Sequence, residues 1–165
     1  MSLTPLLEAS IIIQIHAISA IIAFLLGPVI FYGRKGTTLH KNLGKFWALA
    51  MGLAIFNSAF IWQIKMIGPF SPIHILTVLG TWGLISGINH ARKHRMRAHQ
   101  QSMKALYFWA LGVAGLFTFM PGRVMSQMFF SEYPMLGFYT LLGLYLTFLL
   151  FSKLRLMRSR NLAKG

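Results

Sequence analysis

The 165-residue chain is 56% hydrophobic and sets sixteen Lys and Arg against two carboxylates, for a net charge of +14. In a soluble protein that charge points to nucleic acid. Here the basic residues flank apolar segments, so no nucleic acid partner is expected and anionic lipid headgroups account for the charge more simply. Glu8 and Glu132 both stand at segment ends, which argues against proton pumps and cation-coupled carriers. With no cysteine there is no disulfide, thiolate metal site or iron–sulfur cluster.

The apolar pattern predicts five membrane-spanning helices. Segment one runs from about Ile11 to Tyr32, long enough to cross a hydrocarbon core of roughly 30 Å. Gly27-Pro28 lies in its inner half and is expected to kink it, because proline has no N–H to give. The preceding Met1 to Ser10 lacks the positive region of a signal peptide, so segment one reads as a retained anchor. Segment two runs from about Leu39 to Met66, with Trp47 and Trp62 toward its ends, where indoles favour the interface. Gly68-Pro69-Phe70-Ser71-Pro72 reads as a tight outer turn.

Segment three runs from near Ile73 to about His90, and a basic, His-rich connection leads to segment four, about Ser102 to Met120. Pro121-Gly122-Arg123 closes it, Val124 to Tyr133 reads as a short outer connection, and Pro134 opens segment five, which ends near Phe151. The chain therefore reads as all-α: a single transmembrane domain over 1–165, with a four-helix core at 11–121 and a fifth helix at 134–151. Gly80, Gly83 and Gly87, with Gly112 and Gly115, mark faces where a helix or a flat cofactor can come close.

Charge sets the expected orientation. Fourteen of the sixteen basic residues fall in three clusters: Arg34, Lys35, Lys41 and Lys45; Arg92, Lys93, Arg95, Arg97 and Lys104; Lys153, Arg155, Arg158, Arg160 and Lys164. They follow segments one, three and five, while the opposite ends carry only Lys65 and Arg123. Basic residues are retained on the cytoplasmic side during insertion. The expectation is a multi-pass protein of a bacterial inner (cytoplasmic) membrane, N-terminus outside and C-terminus inside.

The histidines carry the functional reading. His16 and His74 lie toward the outer ends of segments one and three; His40 and His99 lie at the inner ends of segments two and four. Paired imidazoles on alternate helices are what a six-coordinate b-type haem needs, each giving one neutral nitrogen to iron. Two pairs would hold two haems, one near each face. Singly, each histidine has a plainer reading: His40, His94 and His99 as solvated loop residues, His74 as a polar turn residue. His16 is harder to set aside, because an imidazole inside an apolar helix requires a partner. His90 and His94, four apart, would share a face of a continued helix and could chelate one ion, but the surrounding cations oppose it. Arg92 and Arg123 would suit haem propionates.

The run Leu39-His40-Lys41-Asn42-Leu43-Gly44-Lys45 resembles a family of predicted bacterial membrane proteins, domain of unknown function 2306. So do Gly68-Pro69-Phe70-Ser71-Pro72-Ile73-His74, His99-x-x-x-Met103 with Tyr107, and Pro121-Gly122-Arg123, the likeness covering roughly residues 11 to 125. The family name implies no activity. The histidine arrangement is also similar to that of dihaem transmembrane cytochromes b. That likeness implies His16 with His74 as outer iron ligands and His40 with His99 as inner ones, though His40 and His99 stand at or before helix starts. The leading expectation is a small membrane cytochrome or oxidoreductase subunit carrying electrons to a quinone or a redox partner protein. The alternative is a cofactor-free accessory subunit of a larger membrane complex, with ten methionines and fourteen phenylalanines as its contact surface.

Overall fold

The computed structural model describes residues 2–61 and 72–162. Among them every regular element is a helix: α1 Thr4–Leu7, α2 Ile11–Tyr32, α3 Thr38–Ser58, α4 Pro72–Arg92, α5 Met96–Ala105, a π-helix Leu106–Gly112, α6 Val113–Thr118, α7 Val124–Phe130 and α8 Pro134–Leu162. Lys65, Trp62 and most of the expected outer turn lie outside the described residues. The chain divides into two compact units, one Leu6–Gly115 and the other joining Met1–Pro5 to Leu116–Gly165.

The first unit is a cycle of four helical elements. α2 packs on α3, α3 on α4, α4 on α5 and the π-helix, and the π-helix returns to α2. The order of contacts along α3 and α4, Gly52 beside Leu84, Gly80 beside Ile55 and Ser58 beside Thr77, makes that pair antiparallel. Gly36 turns the chain between α2 and α3 with φ of 82°, a conformation that costs glycine little. Thr37 then caps α3, its hydroxyl accepting from the His40 N–H at 3.1 Å. α4 stops at Arg92, and His94 takes φ of 55° before α5 begins.

The core of this unit joins Ala23 of α2, Trp47, Ala50 and Met51 of α3, and Met103, Leu106 and Tyr107 of α5 and the π-helix. Its most specific contact repairs a defect in α2. Pro28 has no N–H for the carbonyl of Phe24, four residues back. The Tyr107 hydroxyl donates to that carbonyl at 3.0 Å. Gly27 makes the approach feasible, since a Cβ there would overlap the Tyr107 ring. Next to it the Trp47 indole N–H donates to the Ala23 carbonyl at 2.8 Å.

In the second unit α7 and the Pro134–Leu150 stretch of α8 meet at 100°. Gly137 lies under the Phe130 ring, and Phe119 meets Phe129 at a tilt and Phe130 edge-on, both at centroid distances of 6.0 Å.

Apolar side chains face outward throughout the first unit: Ile18, Phe24, Phe56, Val78 and Trp82 are all more than half exposed. Water would make that arrangement costly, whereas lipid tails solvate it. Among the described residues α2 alone is long and apolar enough to cross a membrane by itself, and α7 with α8 passes only as a bent pair. α3 and α4 match it in length, but Lys41, Asn42, Lys45, Asn57 and Ser58 on α3 and Asn89, His90 and Arg92 on α4 dilute their apolar character.

Several expectations change. Trp47 is 3% exposed, because its indole is spent on the Ala23 carbonyl instead of the membrane interface. The fourth segment begins at Met96 rather than Ser102 and passes through the π-helix. The expected connection after it contains α7, and α8 runs on to Leu162, past the expected end near Phe151.

Candidate functional site

Two histidines are oriented by backbone carbonyls of neighbouring helices. The His16 Nδ1–H donates to the Ala54 carbonyl of α3 at 2.8 Å, and the His99 Nδ1–H donates to the Gly87 carbonyl of α4 at 2.9 Å. A carbonyl only accepts, so each ring carries its proton on Nδ1 and leaves the Nε2 lone pair for a ligand. That is the tautomer and the outer hydrogen bond with which metal-ligating imidazoles are held. For His16 the bond also supplies the partner that burial in an apolar helix demands.

His40, third residue of α3, is half-buried, and its Nδ1 is buried with no hydrogen-bond partner among the described residues. Burial lowers the His40 pKa most, and His99 and Lys35 lower it further, so His99 and His40 influence one another electrostatically. Because α5 begins at Met96, His99 is the fourth residue of a helix and not in the loop before it.

α3 and α5 are diagonal partners in the four-element cycle, as are α2 and α4. Adjacent packed helices stand 8–10 Å apart, so a diagonal spans about 13 Å, wide enough for two imidazoles with an ion between them. The two diagonals differ in register. His16 is level with Ala54; Ser58, one turn beyond on α3, meets Thr77 at 2.8 Å; and His74 lies a further turn beyond Thr77. That leaves His16 and His74 offset by about 10 Å along the helix axes.

His90 and His94 do not share a helix face, because α4 ends at Arg92 and His94 is left-handed. Among the described residues no three His, Asp or Glu side chains gather as a metal-binding group. Arg92 is exposed at the end of α4. Arg123 precedes α7 and is half-buried, and desolvation lowers its guanidinium pKa from the ordinary value. It belongs to the second unit, whereas the histidines belong to the first.

The family model of a predicted membrane protein, domain of unknown function 2306, matches residues 13–154. The chain belongs to this family. The match runs from the third residue of α2 into α8, well beyond the stretch whose motifs suggested it, so the family's defining features include the second unit. As a member of a predicted membrane protein family, the protein contacts lipids, in keeping with its outward apolar side chains. No curated protein and no solved structure matches the chain.

Sequence reasoning missed Tyr107 as the partner of the Pro28 region and Gly87 as the carbonyl that holds His99. The first left a signal, since a proline inside a long apolar helix implies a donor from elsewhere. The second left none, because a backbone carbonyl is the same at every residue.

Proposed function

We propose that the protein is a small electron carrier of the bacterial cytoplasmic membrane, crossing it five times with the N-terminus outside, and that His40 and His99 are the axial ligands of one haem b. The observation that carries the reading is the inner pair itself. His99 is held by Gly87 through Nδ1, which leaves Nε2 available to a ligand, and His40, on which His99 acts electrostatically, keeps a buried Nδ1 without a hydrogen-bond partner among the described residues. Iron bound by the His99 Nε2 and the His40 Nδ1 would answer both features. The donor set fits haem iron, being nitrogen-only with no thiolate or carboxylate.

Haem, when bound, supplies one-electron chemistry. The protein's own contribution is orientation and burial. The Gly87 carbonyl fixes the His99 ring, the Thr37 cap fixes the first turn of α3 that carries His40, and the exposed cations Lys35 and Arg92 suit propionates. The proposal is confined to this pair. A second haem on His16 and His74 would have to bridge their two-turn offset.

The test is an absorption spectrum of the purified protein, oxidised and dithionite-reduced. A Soret band with sharp reduced α and β bands is expected. His40→Ala and His99→Ala should each abolish them, and His94→Ala should leave them. A colourless preparation from cells supplied with haem precursor overturns the proposal and leaves the accessory-subunit reading.

A further inference from the structure

An open groove of about 300 Å³ runs along the first unit between α4 on one wall and α5 with the π-helix on the other. Its length is apolar, from Leu76 through Leu79 and Gly83 to Ala105, and Trp82 and Trp109 form its two exposed rims. At one end it turns polar: Ser86 and Ser102 face it from opposite walls, and behind Ser86 the His90 Nε2 lies 3.3 Å from the Ser86 hydroxyl. From Leu76 to Ser86 is about 15 Å of helix.

The depth of that polar end separates two kinds of occupant. Ser86 lies six residues before Arg92, about 9 Å in from the basic end of α4. A phospholipid with its acyl chain in the groove would place its phosphate with the exposed Arg92, Lys93 and Arg95, out of reach of the two serine hydroxyls. A charged phosphate drawn down to Ser86 would be desolvated with no cation beside it. A neutral ring bearing two oxygens meets neither difficulty. One of its oxygens takes hydrogen bonds from the two serine hydroxyls, its face lies against indoles, and an isoprenoid tail follows Leu79 and Leu76 outward.

We infer that this groove is a binding site for an isoprenoid quinone or its quinol, with the ring oxygen on Ser86 and Ser102 and His90 as the outer partner of Ser86. The assignment rests on the electron-carrier reading for its purpose, since Ser86 immediately precedes the Gly87 whose carbonyl holds His99. The binding itself requires no haem.

The full chain in phosphatidylcholine nanodiscs would be titrated with a short-tailed benzoquinone while tryptophan emission is read. Saturable quenching is expected, and Trp82→Phe with Trp109→Phe should remove most of it. Ala105→Phe, which fills the groove from an exposed position, should abolish the saturable part; Leu144→Phe on α8 should not. Ser86→Ala and Ser102→Ala, which leave the groove's shape, should each raise the half-quenching concentration roughly three- to tenfold, the effect of one lost hydrogen bond. They decide the matter if Ala105→Phe does not fold. Quenching that rises linearly with quinone and is the same in all variants overturns the site. So does saturable quenching by a brominated phosphatidylglycerol that the quinone cannot displace. A haem-free preparation that still quenches saturably sustains the groove and removes the haem proposal; a haem-loaded one that does not quench saturably does the reverse.

Discussion

Single residues decide this fold where one helix must complete another. Phe24 cannot receive a hydrogen bond from Pro28 and takes one from Tyr107 instead. Tyr107→Phe should therefore cost about 0.6–1.7 kcal/mol in a steric-trapping or detergent unfolding assay, the range found for hydrogen bonds within membranes. In a Pro28→Ala background the new N–H serves Phe24 directly, and the cost of Tyr107→Phe should fall toward zero. Full cost in both backgrounds would show that the hydroxyl does something else. Two glycines make a matched comparison. A Cβ at Gly27 meets an aromatic ring pinned by its own hydroxyl, and a Cβ at Gly87 meets the terminal methyl of Met103. Methionine can swing aside, so Gly27→Ala should destabilise by about 1–3 kcal/mol and Gly87→Ala by clearly less. Equal losses would mean that the Met103 side chain is as fixed as the ring.

At the scale of elements, apolar length read α2 to the residue and placed the start of α4 and α8 well. It missed the start of α5, whose first turns, Met96 to Gln101, are too polar to read as part of a membrane span although the helix is amphipathic. Its apolar side is the one available to pack on α4, a cue that a search for apolar length overlooks. The same gap explains Trp47: its position suggested an interface, but the Ala23 carbonyl lay 24 residues away in sequence. His16, His40 and His74 fall on the expected helices and His99 falls inside α5 instead of before it, while the two-turn offset between His16 and His74 needed the register of α3 against α4. The turn between α4 and α5 is itself testable. His94 at φ of 55° pays a left-handed penalty that glycine avoids, so His94→Gly should raise stability by about 1 kcal/mol and leave any haem content unchanged. A loss of stability would show that the His94 side chain holds the turn.

For the whole molecule, charge distribution makes the strongest statement. A reporter active only in the cytoplasm should work when fused after Gly165 and fail when fused before Met1. Signals from both fusions would rule out an odd number of crossings. Replacing two or more basic residues in one cluster should scramble orientation more than replacing Lys65 or Arg123, because the clusters hold fourteen of the sixteen cations. Family membership was legible from short motifs in the first four segments. The part played by the second unit was not, since α7 and the far end of α8 are too short or too polar to read as spans.

The bond from Tyr107 to Phe24 also orders events in time. During synthesis α2 enters the bilayer with one carbonyl that nothing in its own helix can satisfy, and the hydroxyl that satisfies it arrives 83 residues later. Until then the helix must hold water at that carbonyl or borrow a donor from another protein. α2 is thus left incomplete early in synthesis and is finished only when the π-helix packs against it.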